Sequence, residues 1–294
     1  MTPIPPLTRR RFIRTTAMAA IGGALGRDVI APQAKTRVVL IRDRGVLDDG
    51  GRVRATVVQS MLDTAVTSLT GATDAAAAWR AIVRPADVVG IKSNGWQYLR
   101  TPPELEAAIR TRLVGAGVAP ANIAVDDQGI RSNPVFQRST ALVNTRPMRT
   151  HHWAGVGSLI KNYIMFVPDP PSYHPDSCAD IATIWNLPGV KGKTRLNVLV
   201  LLTPQFHGVG PHSYSPQYVW KYFGLAAGFD PVAVDSVGLR IIEAKRREHF
   251  GDSRPLNPPA KHIALADTRH HLGTADPAKI DLVLLGERKG ALVY

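Results

Sequence analysis

The 294-residue chain has almost no cysteine and lacks the short motifs of several large enzyme classes. Its single cysteine, Cys178, excludes an intrachain disulfide and any all-cysteine zinc or iron–sulfur site, because each of these needs several thiolates. No GxGxxG, GxxxxGK[ST], GxSxG or HExxH pattern occurs. This argues against a Rossmann-type nucleotide site, P-loop hydrolysis, α/β-hydrolase chemistry and a zincin centre. The cofactor, if there is one, is therefore unknown, and an iron–sulfur cluster is not expected.

Acidic residues are also scarce relative to basic ones. Lys and Arg total 36 against 23 Asp and Glu, which gives a formal net charge of +13 at pH 7. Without the arginines at positions 9, 10, 11 and 14 the net charge is +9. A basic balance favours an anionic partner. No DNA- or RNA-binding motif accompanies it, so we expect no nucleic-acid partner.

The first residues form a basic segment followed by a short apolar one. TRRRFIR, residues 8–14, is followed by an acid-free run of small and apolar residues to position 26. This resembles a twin-arginine (Tat) export signal. The resemblance predicts a signal and linker at residues 1–34, the Tat machinery as a partner, and a periplasmic or otherwise extracytoplasmic protein. A disordered basic arm or an uncleaved anchoring helix is the alternative. The apolar run is too short to span a bilayer, so no transmembrane span is expected in the mature protein.

The remaining chain, residues 35–294, predicts one α/β domain. Strands are predicted at Arg37–Asp43, Ala86–Asn94, Asn122–Asp127, Arg195–Thr203 and Ile280–Leu285, and helices at Val53–Leu69, from an N-cap at Thr101 to about Gly115, and at Val232–Phe250. Continuous apolar strands that alternate with helices indicate an open, mostly parallel sheet with helices on both faces. The segment Arg131–Pro175 is predicted to be a long irregular loop with a short helix at Gly157–Phe166, and a loop of that length is usually functional.

Polar residues follow two of the predicted strands. Lys92 and Asn94 end the second strand, and Asp126, Asp127 and Gln128 end the third. Ligands of open α/β sheets gather at the carboxyl edge of the strands, so we predict that Lys92 is catalytic and that Asn94 and Gln128 bind ligand. Adjacent carboxylates on a strand point to opposite faces, so only one of Asp126 and Asp127 can face the cleft, as a cation ligand or a general base. We predict that Asp127 is catalytic and that Asp126 contacts the ligand. A lysine that reaches solvent and a solvated turn are the alternatives.

Two further segments carry polar residues among apolar ones. Lys161 and Asn162 lie on the short predicted helix and are predicted as a catalytic cation and a ligand-binding amide, unless they form an ordinary polar helix face. Asp230 precedes Pro231, and the two residues suit the N-cap and the first position of a helix, so a structural role alone explains both. A contact between Asp230 and the ligand is also predicted. Asp235 lies one turn further on among apolar residues, and we predict that it orients a lysine.

Histidines in predicted loops are candidate metal ligands. These are His152, His174, His207 and His212, and His152 is also a candidate contact to an organic ligand. A metal site requires the loops to converge, since no i, i+4 ligand pair is present.

Several segments follow one another in a fixed order. They are the early strand, DAAAAWRAIVRP (residues 74–85), ADVVGIKSN, TPPELEAAI, GAGVAPANIAVDD, the His-Trp-Ala-Gly segment leading to SLIKN, and DPVAVD. This order resembles the domain-of-unknown-function family 362. The similarity is expected from about Arg37 to Tyr294. It implies an α/β domain that some relatives join to ferredoxin modules, and it implies that the family's motif positions are Lys92, Asn94, Lys161, Asn162, Asp230 and Asp235. The single cysteine departs from those ferredoxin-linked relatives.

Three functions remain open on these residues. The first is an exported protein whose Lys/Asn/Asp cleft binds a small anionic ligand and performs acid–base chemistry on it. The second is a metal-binding or redox-accessory protein that uses the loop histidines. The third is a non-catalytic binder of an anionic envelope polymer. Whether the protein is an enzyme is left open.

Overall fold

The computed structural model describes residues 35–208, 214–252 and 254–293. The predicted signal segment and His212 lie outside these ranges. The strands are β1 (Thr36–Arg42), β2 (Val89–Lys92), β3 (Ile123–Asp126), β4 (Ala141–His151), β5 (Gly155–Gly157), β6 (Thr194–Gln205), β7 (Gly224–Gly228) and β8 (Ile280–Gly286). The helices are α1 (Ala55–Thr70), α2 (Ala75–Ile82), α3 (Pro103–Gly115), α4 (Pro134–Gln137), α5 (Leu159–Asn162), α6 (Pro175–Cys178), α7 (Pro231–Phe250) and α8 (Lys261–Thr268).

The eight strands of the described residues belong to one mixed sheet, in the order β3-β2-β4-β6-β7-β1-β8 with β5 paired to β4. β2 pairs in parallel with β3 and β4, β4 with β6, and β1 with β8. β7 runs antiparallel to both β6 and β1, so β1 points the same way as β6. The predicted mostly parallel sheet is confirmed, and the carboxyl ends of β1, β2, β3, β4, β6 and β8 meet at one edge.

Helices cover both faces of the sheet, as the continuous apolar strands predict. On one face, α1 buries Val58, Met61, Leu62, Ala65 and Val66 at helical spacing. On the other, the first half of α7 is buried and packs on β6 and β7. Gly238 allows this close approach, because a Cβ there would collide with Leu199 of β6. The fold is therefore an α/β sandwich with two apolar cores.

Two local predictions are wrong. The segment predicted as an irregular loop contains β4, an 11-residue strand in the middle of the sheet. Its Asn144, Thr145, Arg146 and Arg149 side chains hide the strand pattern, because they are polar and yet buried. Thr101 does not cap α3, whose N-cap is Pro102 without a side-chain hydrogen bond. The Thr101 hydroxyl instead accepts a hydrogen bond from the backbone amide of Asn94 at 3.2 Å.

None of the helices within the described ranges has both the length and the apolar character needed to cross a membrane.

Candidate functional site

A pocket of about 290 Å³ opens at the carboxyl edge of β2, β3 and β4. Its lining comes from the ends of the strands and from the segments after β4 and α5. The polar and aromatic residues of the lining are Asn94, Trp96, Asp127, Gln128, Arg146, Arg149, Thr150, His151, His152, Trp153, Lys161, Asn162 and His174. Six residues predicted from the sequence as catalytic or organic-ligand contacts are thus gathered around one cavity: Asn94, Asp127, Gln128, His152, Lys161 and Asn162.

Lys92, predicted to be catalytic, does not line the pocket: it has no exposed surface (0%) and lies beneath two lining residues, Asp127 and Asn162, at what we call the base of the pocket. Its ammonium donates to the Asp127 carboxylate at 2.5 Å, to the Ser93 carbonyl at 2.6 Å and to Asn162 Oδ1 at 3.3 Å. Burial lowers the pKa of Lys92 to about 8, against the opposing effect of Asp127. Burial by itself raises the pKa of Asp127, but the Lys92 charge and hydrogen bond hold it below its ordinary value. The pair is therefore ionised at neutral pH, with every proton of the ammonium used.

A chain of buried asparagines continues from this base across the sheet. The Asn162 amide donates to Asn144 Oδ1 at 2.8 Å, and the Asn144 amide donates to Asn197 Oδ1 at 3.1 Å. Asn144 and Asn197 are register partners on β4 and β6. Because the chain is hydrogen-bonded along its length, it fixes the orientation of Asn162 and ties the base of the pocket to the centre of the sheet.

Two arginines on β4 reach the pocket together because that strand is irregular. Arg146 and Arg149 are three positions apart, and a regular strand would direct them to opposite faces. The pairing of β4 with β6 shifts register between Pro147 and Arg149. Such a bulge re-aims the side chains that follow it. Both guanidinium groups consequently line the same cavity.

The two guanidinium groups differ in how well they are satisfied. Arg149 donates to Asn94 Oδ1 at 3.0 Å and stacks 4.3 Å over the Trp96 ring. Arg146 is 4% exposed, and its Nε has no hydrogen-bond partner among the described residues. Gly157 leaves room for its guanidinium, since a Cβ there would lie 2.7 Å from Nη2. Burial lowers the pKa of Arg146 to about 10, which still leaves it cationic at neutral pH.

Lys161 adds a third cation to the wall of the pocket. It is 2% exposed, and its ammonium contacts the Cys178 sulfur at 3.5 Å. Burial lowers its pKa to about 8, and the charges of Arg146 and Arg149 act in the same direction. Burial raises the pKa of the Cys178 thiol, so the thiol is neutral and does not balance the ammonium charge.

Asp235 positions the turn that carries Lys161. Its carboxylate accepts hydrogen bonds from the Ser158 hydroxyl at 2.7 Å and from the backbone amides of Leu159 and Ile160 at 2.9 and 2.8 Å. These are the donors at the start of α5, which the carboxylate satisfies. The lysine is therefore held through the backbone of α5 and not by direct contact with Asp235.

Aromatic and histidine rings form the outer wall. The Trp153 ring lies 4.0 Å from that of His174 and is 45% exposed at the surface. Burial lowers the pKa of His174 to about 4, and it lowers that of His151 further below its ordinary range. These two imidazoles are neutral at pH 7 and offer hydrogen-bonding atoms and flat surfaces to the pocket.

Two predicted ligand contacts have local structural partners instead. Asp126 accepts from the Asp127 and Gly129 amides at 2.7 and 2.9 Å and from the Asn133 side chain. Asp230 caps α7 and also accepts from the Thr274 amide at 2.8 Å. The N-cap interpretation of Asp230 is confirmed.

The histidine candidates do not assemble into a metal centre in the described part of the chain. No group of three or more His, Cys, Asp or Glu side chains there could hold an ion. His207 lies on a neighbouring cavity with His151 and His152, where its ring contacts the Arg246 guanidinium at 3.2 Å.

Reasoning from the sequence missed Arg146, Arg149 and Asn144. All three lie on β4, within the segment that the sequence predicts to be an irregular loop. One signal was available: Asn and Arg between apolar residues, as in ALVNTRPMR, are unusual in a strand and indicate buried polar contacts.

The family comparison covers the middle of the chain. The sequence model of the DUF362 family, a domain of unknown function, matches residues 127–240. No curated protein and no solved structure shows significant similarity to the chain. The DUF362 resemblance is confirmed over this segment, which includes Asp127, all of β4, Lys161, Asn162, Asp230 and Asp235. Lys92 and Asn94 lie before it, so the expected extent from Arg37 to Tyr294 is wider than the match.

Proposed function

We propose that the pocket binds a small organic anion, carrying a carboxylate or a phosphate, against Arg146, Arg149 and Lys161. The observation that carries the proposal is the buried Arg146 guanidinium, whose Nε has no hydrogen-bond partner in the described residues. Leaving a buried charge without a partner is costly. A bound anion supplies the missing acceptor and offsets the charge.

The balance of charge around the cavity supports an anionic ligand. Three cations line it, and the one carboxylate among its described lining residues, Asp127, is already paired with Lys92. None of the three lining cations has a carboxylate within salt-bridge distance in the described ranges, although charge-assisted pairs of that kind are the usual way to bury arginine. The pocket therefore presents an excess of positive charge to whatever enters it.

The size and walls of the pocket support a small ligand rather than a polymer. A volume of about 290 Å³ is at the lower end for organic ligands. Trp96 and Trp153 offer apolar surface to the body of the molecule, beside the charged groups. Asp127 is held at both oxygens, by Lys92 and by the Gly95 amide at 2.7 Å, which favours a positioning role over that of a free general base.

Calorimetric titration with phosphate, lactate and succinate tests the proposal. We expect at least one of these anions to bind with one-to-one stoichiometry, and Arg146→Met to abolish or strongly weaken that binding. Arg52→Met is the matched control, because the Arg52 side chain is 86% exposed and pairs only at the surface with Asp48. Failure of every anion to bind, or equal binding by the Arg146→Met variant, contradicts the proposal. Binding only to an anionic polymer, steeply weakened by salt and indifferent to Arg146→Met, favours the envelope-polymer alternative.

We also propose that the protein is exported folded by the twin-arginine route. The support is the sequence TRRRFIR and the acid-free apolar run after it. Cell fractionation after expression in a bacterium with a Tat system tests this: the wild type should reach the periplasm, and a variant with Arg9→Lys and Arg10→Lys should stay inside. Equal export of both contradicts it.

A further inference from the structure

The two buried lysines of the site differ in what their nitrogens contact. The Lys92 ammonium donates to three oxygen atoms, on Ser93, Asp127 and Asn162. A primary amine held in this way has no lone pair to offer, because losing a proton breaks a hydrogen bond and leaves the Asp127 carboxylate unpaired. Lys92 is therefore a structural cation.

Lys161 has none of these restraints. Its one hydrogen-bonding contact in the described residues is the Cys178 sulfur at 3.5 Å, a weak acceptor. Its side chain lines the cavity, so a molecule in the pocket contacts Lys161. The neighbouring guanidiniums of Arg146 and Arg149 and the burial of the amine both favour the neutral form, and its pKa is lowered to about 8. A desolvated lysine beside other cations is the usual setting of an amine nucleophile.

We propose that Lys161 forms a covalent imine with the carbonyl group of a small 2-oxo acid whose carboxylate is held by Arg146 and Arg149. This inference rests on the proposed function and narrows it to anions that carry a carbonyl next to the charged group. The arrangement places a nucleophilic amine and two carboxylate-binding guanidiniums on one cavity, which matches a ligand with both functional groups on adjacent carbons.

Imine formation between Lys161 and a 2-oxo acid requires only the amine, the carbonyl compound and protons from solvent. The neutral Lys161 nitrogen adds to the carbonyl carbon, so that a C–N bond forms while the carbonyl oxygen takes up a proton. The proton on that oxygen comes from the attacking nitrogen, which gives a neutral carbinolamine. Its hydroxyl takes a second proton from solvent and leaves as water when the C–O bond breaks, while the nitrogen lone pair forms the C=N bond of a protonated imine on the lysine. Addition of water in the reverse sequence releases the 2-oxo acid unchanged.

Reductive trapping tests this directly. Wild-type protein is incubated with pyruvate and cyanoborohydride, which transfers hydride to the imine carbon much faster than to the carbonyl of free pyruvate and makes the bond permanent. Peptide mapping by mass spectrometry then locates the adduct. Lactate, which has the same carboxylate but no carbonyl, serves as the unreactive competitor. Lys161→Arg keeps the charge but removes the amine, and Lys279→Arg is the control for an exposed lysine, 62% accessible at its side chain.

We expect one adduct per chain, on the peptide that contains Lys161, prevented by excess lactate, lost in Lys161→Arg and retained in Lys279→Arg. An adduct spread over surface lysines, or located on Lys92, overturns the inference. So does the absence of an adduct under conditions where calorimetry shows that pyruvate binds in an Arg146-dependent manner, and in that case the proposed anion site stands. A Lys161 adduct that excess lactate does not prevent, with no calorimetric binding of any anion, supports the amine chemistry and contradicts the anion site. The mapping uses the wild-type protein, so it does not depend on the folding of a variant.

Discussion

The base and the wall of the pocket both bury cationic side chains, but they surround the charge with different groups. At the base, Lys92 is buried with a carboxylate, an amide oxygen and a carbonyl around its ammonium. In the wall, Lys161 and Arg146 are almost equally buried, at 2% and 4% exposure, without a carboxylate partner in the described ranges. Burial lowers the pKa of both lysines to about 8. Similar pKa values thus accompany different roles, and the hydrogen-bond partners decide which cation is structural and which is available to a ligand.

The largest expected effect concerns the stability of the base. Lys92→Met leaves the Asp127 carboxylate without its partner, and breaking a buried ion pair in this way costs about 3–5 kcal/mol of unfolding free energy. Lys161→Met removes a buried charge that has no carboxylate partner, so stability should stay the same or rise. Urea denaturation of the two variants measures the contrast. Equal losses would show that the two lysines are held alike.

The second effect separates the two arginines of the wall. Arg146→Met should weaken binding of the anion found by calorimetry by about 10-fold or more, since a hydrogen bond to a charged group contributes about 1.5–3 kcal/mol. Its unfolding free energy should not fall. Arg149→Met should weaken binding and also lower stability, because it loses the contacts with Asn94 and Trp96. Urea denaturation and calorimetry on both variants check this. A large loss of stability in Arg146→Met would mean that the Arg146 guanidinium already has partners within the protein.

A smaller effect is expected where the backbone supports the wall. Asp235→Asn replaces one acceptor oxygen by an amide group that faces hydrogen-bond donors at the start of α5. Each buried donor left unsatisfied costs about 1–3 kcal/mol. We expect a loss of stability in that range and weaker anion binding through displacement of Lys161. Ser158→Ala, which removes only the hydroxyl donor to the same carboxylate, should lose less. If Asp235→Asn binds the anion with unchanged affinity, α5 does not depend on this carboxylate.

The smallest effect is on pH dependence. Lys161 loses its charge as pH rises through about 8, so lactate affinity should fall severalfold across that range. Lys161→Arg should remove this step because arginine stays protonated. Lys92 titrates near the same pH, and persistence of the step in Lys161→Arg would assign it to the base instead. His174, with a pKa of about 4, should add no step near neutral pH.

Much of the fold could be predicted because its signals are local. In β1, β2 and β6 the buried positions are mostly apolar, and in α1 the buried positions are apolar and recur at helical spacing, so residue type alone indicates burial. The strand β4 could not be found in this way. Its buried Asn144, Arg146 and Arg149 depend on partners from distant parts of the chain, such as Asn197 and Asn94, and no local pattern records such partners.

In the candidate site, too, some features could be predicted from the sequence and others could not. Lys92 and Asp127 were identifiable as polar residues at the ends of apolar strands, and Lys161 and Asn162 as polar residues between apolar ones. The structure places Asp127, Lys161 and Asn162 on one cavity and Lys92 beneath it. The sequence did not show whether a given carboxylate contacts a ligand or stabilises the protein's own structure. Asp127 and Asp126 are neighbours in the sequence, yet the first pairs with Lys92 while the second closes its own turn. The two possibilities differ only in three-dimensional contacts.

A crystal structure of the protein with lactate is the most direct test of the anion site. We predict that the lactate carboxylate accepts hydrogen bonds from the Arg146 guanidinium, with its hydroxyl carbon facing the Lys161 nitrogen. Lactate bound elsewhere, or an Arg146 guanidinium that pairs with a carboxylate of the protein itself, would contradict the account.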